Sequence, residues 1–280
     1  MKNFHAFFAL TLVIQTFAQP NTDIYLFNIG APDQSPINIS NNPGYDNQPS
    51  FWEDSQSILY ARTVNGQTEI ARYFIESAET EIITNTPQGS EYSPTQIPGS
   101  NDISSIRSDT SGLQLLYRYD LDGKSSVLVP DLKIGYHAWV NEQKLAAFVL
   151  GSPPILQYID VSTSMTTTLE DSIGRCLVPF PIMEGFSFVD ASQKPEKIFL
   201  SIPEREMTYE LASLPENSQD FCWSADGQII YSSQGTKIVK AGQGQPWQTF
   251  FDLRDFRLTG IISRMAASPD GNWLAVVIEQ

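Results

Sequence analysis

The chain has 280 residues, with 32 Asp and Glu against 17 Lys and Arg and a formal net charge of −15. So acidic a chain repels nucleic acid and anionic membrane surfaces, which excludes both as partners. Its two cysteines are too few for a disulfide scaffold or a four-thiolate zinc site, and 41% hydrophobic residues suffice for a core.

Residues 1–18 read as a secretory leader: Lys2, then a mostly apolar run over residues 4–14, then Thr16-Phe17-Ala18 before Gln19. The run falls short of the roughly 20 apolar residues that span a bilayer. No cysteine follows it to carry a lipid anchor, and no later segment is long and apolar enough for membrane insertion. Removing residues 1–18 from the 280 leaves an exported chain of 262 residues, net charge −16, with His137 as its one histidine. Its predicted address is the periplasm or the medium.

From residue 19 onward, short runs of β-branched and aromatic residues alternate with clusters of Gly, Asn, Asp, Ser and Pro. No segment sustains a helical apolar period. A strand–turn–strand unit recurs instead. Its clearest copies are residues 49–60 around Asp54, residues 221–231 around Asp226-Gly227, and residues 264–277 around Ser268-Pro269-Asp270-Gly271. Degenerate copies turn near Gly99, Asn141 and Glu184. The six turn positions, 54, 99, 141, 184, 226 and 270, are separated by 45, 42, 43, 42 and 44 residues. The 10 residues after position 270 and the 36 from 19 to 54 together make one more period, so the repeat closes around the chain ends.

Six such units predict an all-β protein, a six-bladed β-propeller of four-stranded blades. The first blade is read as strands over 49–52, 57–62, 67–74 and 80–84. The second is 93–98, 103–107, 113–119 and 126–129. The third is 136–140, 145–150, 155–161 and 165–169. The fourth is 176–180, 186–189, 197–202 and 208–212, and the fifth 221–224, 229–232, 237–240 and 247–252. The sixth takes 264–267 and 273–278 from the C-terminus and 22–28 and 37–40 from the N-terminus. This closure pairs the chain ends, removes open sheet edges and leaves nothing for a second domain. A monomeric single domain over residues 19–280 is the expectation.

The turns Ser268-Pro269-Asp270-Gly271 and Trp223-Ser224-Ala225-Asp226-Gly227, with the Asn65-Gly66 link into a third strand, resemble the WD40-like repeat of the TolB type. The resemblance covers nearly all of residues 19–280 and implies an exported bacterial propeller. It differs in lacking the α/β domain that precedes the TolB propeller. The fold alone does not set a function.

Propellers bind ligands at a channel mouth, and the loops leading into the innermost strands are expected to converge there. The candidates are Asp46, Glu91, Tyr92, Tyr136, His137, Arg175, Asp220 and Arg264, a mixed polar ring suited to a peptide or a small polar ligand. A lone histidine serves as a general base, as a metal ligand beside Asp46 or Asp220, or as a core group satisfied by backbone. The chain has no Gly-x-Ser-x-Gly elbow, no His-Glu-x-x-His and no P-loop. Asp54, Asp226 and Asp270 read as turn residues, although the carboxylate excess makes calcium a possible cofactor, as in propeller lactonases. No other cofactor is expected. Cys176 and Cys222 read as buried free thiols, and Trp52, Trp139, Trp223 and Trp273 as packing between blades. The favoured reading is an exported, non-catalytic propeller that binds a protein or peptide of the cell envelope. The alternative is a metal-dependent propeller hydrolase or lactonase.

Overall fold

In a computed structural model that describes residues 20–280, the chain opens with two strands, β1 (Thr22–Asn28) and β2 (Ile37–Asn38). The predicted leader lies outside the described residues. Blade 1 follows as β3 (Asn47–Phe51), β4 (Ser57–Val64), β5 (Gln67–Phe74) and β6 (Glu79–Ile82). Blade 2 is β7 (Gly89–Gln96), β8 (Ile103–Asp109), β9 (Gln114–Tyr119) and β10 (Ser125–Val129). Blade 3 comprises β11 (Ile134–Trp139), β12 (Lys144–Val149), β13 (Ile155–Asp160) and β14 (Met165–Asp171). Blade 4 has β15 (Ile173–Pro179), β16 (Phe186–Asp190), β17 (Lys197–Ile202) and β18 (Met207–Ser213). Blade 5 is β19 (Phe221–Trp223), β20 (Ile229–Gln234), β21 (Lys237–Gly242) and β22 (Gln248–Asp252). The last strands, β23 (Ile261–Ala267) and β24 (Trp273–Glu279), form blade 6 with β1 and β2, in the order β2-β1-β24-β23. Each of the six sheets is antiparallel and four-stranded, as the period predicts.

Composition grades outward across each blade. The second strands are buried on both faces, and Ser57–Ala61 and Leu274–Ile278 read as near-continuous apolar runs. The outermost strands β6 and β14 are exposed almost throughout and rich in Thr, Glu and Asp, with Ile82, Met165 and Leu169 as their apolar residues, a mostly polar edge that discourages another strand. The β4–β5 turn uses Asn65 and Gly66 at φ 51° and 85°, the pair a tight two-residue hairpin needs.

The core is divided into six clusters, and each lies in one of the six joints between neighbouring blades. Trp52, Leu59 and Ile70 of blade 1 meet Ile103 and Tyr119 of blade 2. Phe27, Ile262 and Leu274 of blade 6 meet Tyr231, Ile238 and Phe251 of blade 5. Two tryptophans repeat one device. Trp139 donates through Nε1 to Ser104 Oγ of the preceding blade at 2.8 Å, and Trp223 to Ser187 Oγ at 3.0 Å. The ring closes where β1 pairs with β24 in unbroken register from Thr22↔Glu279 to Asn28↔Trp273.

The innermost strands depart from the sequence reading in one respect. Five of the six begin two to four residues earlier than expected, at Asn47, Gly89, Ile134, Ile173 and Ile261. Each of the five carries a register shift, between Asn47 and Ser50 in β3 and between Tyr92 and Thr95 in β7, for example. Gln48 and Ser93 sit at these shifts with φ of 58° and 51°. A bulge breaks the alternation of side chains, so polar residues there do not read as strand.

Candidate functional site

All six innermost strands run in one direction along the central channel, so the hairpins that follow them gather on one face. A cavity of about 570 Å³ occupies the channel and is lined by all six strands. Its lining reaches the exposed hairpin residues Glu53, Pro181 and Pro269, so it opens on that face. The opposite mouth, expected from the loops leading into the strands, is where Tyr45, Tyr92 and Tyr136 gather. Tyr45 and Tyr92 meet edge to face at 6.2 Å, and the Arg264 guanidinium lies 4.8 Å from the Tyr136 ring centre. Burial pushes the Tyr45 hydroxyl up to about 12 against the opposing pull of Arg264. These three tyrosines stand behind the cavity floor.

Of the eight candidate residues, the structure brings His137, Arg175, Asp220 and Arg264 together on the cavity lining. Tyr92 and Tyr136 belong to the aromatic layer behind it. Asp46 and Glu91 do not reach the channel, which corrects their expected placement. The Asp46 carboxylate turns toward blade 1 and accepts from Asn42 Nδ2 and the Thr63 amide, both at 3.3 Å. Glu91 turns into the joint between blades 1 and 2, where Tyr119 donates to Oε1 at 2.9 Å. The bulges set these directions, since a shift of one residue exchanges channel for joint.

On the floor, Asp220 Oδ2 accepts the Met265 amide at 2.8 Å. Burial raises its carboxyl above the ordinary range, while Arg264, Cys176, the Met265 amide and Arg175 pull the other way. Arg175 donates from Nη2 to the Ser263 carbonyl at 3.1 Å, and its Nε has no partner among the described residues. Neither Arg175 nor Arg264 takes part in any of the five ion pairs among the described residues. Two guanidinium groups thus face one carboxylate, a local positive excess inside a strongly acidic protein. Above the floor the wall is apolar: Trp139, Trp223 and Phe180 line it, the last two in edge contact at 5.0 Å.

His137 Nε2 and Ser104 Oγ share a hydrogen bond at 2.7 Å, and His137 Nδ1 has no partner among the described residues. The imidazole is 7% exposed, and burial pushes its pKa down to about 4, so it is neutral at physiological pH. Ser104 is wholly inaccessible, and its hydroxyl already donates to the Thr95 carbonyl at 3.1 Å and accepts from Trp139 Nε1, so the pair is not arranged as a nucleophile with its base. Cys176 and Cys222 are buried free thiols on the same wall, and burial raises both far above the usual thiol range. Among the described residues, no group of three or more His, Cys, Asp or Glu side chains is placed to hold a metal ion. The turn carboxylates are engaged locally: Asp226 Oδ1 accepts from Ser224 Oγ at 2.6 Å and the Gln228 amide at 3.1 Å.

Sequence reading missed Gln48 and Ser93, which enter the cavity at the bulges, and the aromatic wall of Phe180 and Trp223. A proline follows or ends the inner strand in three blades, at 98, 181 and 269, and that recurrence marks the ring where the cavity opens.

No family model matches this chain, and no curated protein matches it. Solved structures do. A protein described as TolB from Agrobacterium tumefaciens superposes with a TM-score of 0.74 at 14% identity, over 94% of this chain and 99% of that one. TolB from Acinetobacter baumannii gives 0.62 at 13% identity, over 93% of this chain and 64% of that one. An oligogalacturonate lyase solved in complex with manganese gives 0.59 at 13% identity, over 87% and 79%. At such identities the likeness is one of fold. The period, the six four-stranded blades and these superpositions agree that the chain is folded as a TolB-like six-bladed β-propeller.

Proposed function

We propose that this chain is an exported, non-catalytic binding propeller, and that a protein or peptide segment of the cell envelope enters its channel from the hairpin face. The observation that carries this reading is the cavity itself, about 570 Å³, with an apolar wall above a charged floor. That volume suits a small ligand or the end of a chain and is far too small for a folded domain. The TolB-like fold supports a role in protein binding. No helix among the described residues is long and apolar enough to cross a membrane, and export rests on the leader read in residues 1–18.

The test is selection from a random library of short linear peptides, with the purified wild-type protein and an Ala225→Trp variant as baits. Ala225 lines the cavity at its mouth, so the indole plugs it. Wild type is expected to enrich a defined peptide set that the plugged variant loses at an unchanged thermal midpoint. Equal enrichment by both proteins, or none by either, overturns the reading. The occurrence of this fold in an oligogalacturonate lyase is what favours the second reading, a metal-dependent enzyme acting on a small polar substrate. Manganese- or calcium-dependent turnover of a lactone, ester or uronide would establish it.

A further inference from the structure

We propose that the channel floor is a carboxylate site, and that its occupant is the free C-terminus of a peptide chain. This deepens the channel-binding reading above and rests on it. Arg175 and Arg264 come from strands two blades apart and converge on one cavity with one carboxylate, Asp220, between them. The Arg264 guanidinium donates no hydrogen bond among the described residues and is held by the Tyr136 ring at 4.8 Å. Three other buried polar groups of residues on the cavity lining lack partners among the described residues: Arg175 Nε, His137 Nδ1 and Ser93 Oγ. Buried polar atoms are normally satisfied, so a cluster of unpaired ones on a cavity wall points to a polar ligand. Arg175 Nε is a donor, the Ser93 hydroxyl can act as one, and the two planar guanidinium groups are suited to carboxylate. The positive excess selects an anion over a chain's ammonium end.

The walls select the rest of the ligand. Beyond the floor lie Trp139, Trp223 and Phe180, and the lining ends at Pro181 and Pro269 on the hairpin face. A carboxylate attached to apolar groups matches both layers. A peptide's last residues have that form, and a chain end enters a narrow channel that an internal loop cannot.

The experiment uses degenerate N-acetylated tetrapeptides with apolar last residues, prepared once as free acids and once as C-terminal amides. Binding to the full mature protein is followed by calorimetry. The acids are expected to bind about tenfold tighter than the amides, as loss of a charged hydrogen-bonding partner dictates. Salt should weaken the acids and spare the amides. Arg264→Met should reduce the acids to the level of the amides, with Arg264→Lys falling between, each at an unchanged thermal midpoint. Arg175→Gln supplies an independent variant should position 264 prove intolerant. Equal binding of acids and amides overturns the carboxylate site while leaving the channel-binding reading intact. Displacement of the acids by free galacturonate at equal concentration overturns the peptide terminus as occupant. Failure of both mixtures to bind overturns this proposal together with the reading beneath it.

Discussion

Two of the sites where this protein buries ionisable groups resolve the same difficulty in opposite ways. One is the channel floor, where Arg175, Asp220 and Arg264 line a cavity. The other is the joint between blades 1 and 2, where Glu69 and Glu91 are both buried and neither lines the channel cavity. There Glu69 accepts from Thr84 Oγ1 at 2.7 Å and from the Thr86 amide at 3.0 Å. Glu91 takes the Tyr119 hydroxyl on Oε1, and its Oε2 has no donor among the described residues. Burial first, and Glu69 beside it, push the Glu91 carboxyl up to about 7. A proton on Oε2 directed at Glu69 satisfies both carboxyl groups. In the joint, burial moves the Glu91 carboxyl toward its neutral form. The floor keeps an excess of guanidinium over carboxylate beside a cavity of about 570 Å³.

The largest expected effect breaks the joint. Tyr119 is 1% exposed, packs in the cluster between blades 1 and 2, and holds Glu91. Tyr119→Ala should cost about 3–5 kcal/mol of unfolding free energy, as other aromatic-to-alanine core truncations do. On the hairpin between β15 and β16, Ile182→Ser should stay within about 0.5 kcal/mol, since its side chain is mostly in water. Urea unfolding of both variants measures the contrast, and comparable losses would refute the division into a packed joint and an open channel.

The pH dependence sharpens it. Glu91, raised to about 7, and Asp46, raised to about 6 mainly by burial, bind a proton more tightly folded than unfolded. Their contribution is full below the ordinary carboxyl range and is lost as pH rises through 6 and 7. Asp220 is shifted in the same sense. His137, pushed down to about 4 from 6.5, opposes them: its contribution is present above 6.5 and lost as pH falls through 4. Three carboxyls outweigh one imidazole, so the fold should be more stable at pH 5 than at pH 8, by about 1–3 kcal/mol. Glu91→Gln, whose amide donates to Glu69 at every pH, should flatten the profile. Thermal midpoints across this range check both, and a wild-type profile already flat between pH 5 and 8 would remove the proton from the joint.

Smaller still is the effect of the turns on the hairpin face. Asp226→Ala deletes the acceptor for Ser224 Oγ and the Gln228 amide. Both donors are exposed and find water instead, so the expected loss is about 1 kcal/mol. A loss of several kcal/mol, by the same urea measurement, would show that this turn supports the cavity rather than only ending a strand.

The blades were legible in the sequence because turn residues and apolar runs recur at a nearly constant spacing, as in Asp54, Asp226 and Asp270. The strands over Gln67–Phe74, Lys197–Ile202 and Thr22–Asn28 match the reading residue for residue. The channel was legible only in part. His137, Arg175, Asp220 and Arg264 stand out by residue type and position and line the cavity. Asp46 and Glu91 stand out equally and do not. The difference lies in bulges at Gln48 and Ser93, whose left-handed backbone no local composition announces. The hidden partners, such as Ser104 for His137 and Tyr119 for Glu91, lie 33 and 28 residues away along the chain. Spacing along the chain does not register such pairs.

The smallest effect expected is that of calcium. The ion takes six to eight oxygen ligands, several of them carboxylates in one place. Here the carboxylates on the hairpin face belong to separate turns and are already acceptors. Asp54 Oδ1 holds the Gln56 amide at 2.8 Å, and Asp270 holds the Asn272 amide on Oδ1 at 3.0 Å and its side-chain amide on Oδ2 at 2.7 Å. To bind calcium, two such turns would have to release their backbone donors and move toward each other. The floor presents a positive excess that repels the ion. Millimolar calcium or EDTA should therefore shift the thermal midpoint by no more than about 1 °C, because an ion that does not bind the native state cannot stabilise it. A rise of several degrees on adding calcium, reversed by chelation, would place a cation site among groups that the structure assigns to turns. It would also invert the reading of the channel, since a bound divalent ion beside the hairpin face would draw anionic ligands without any contribution from Arg175 or Arg264.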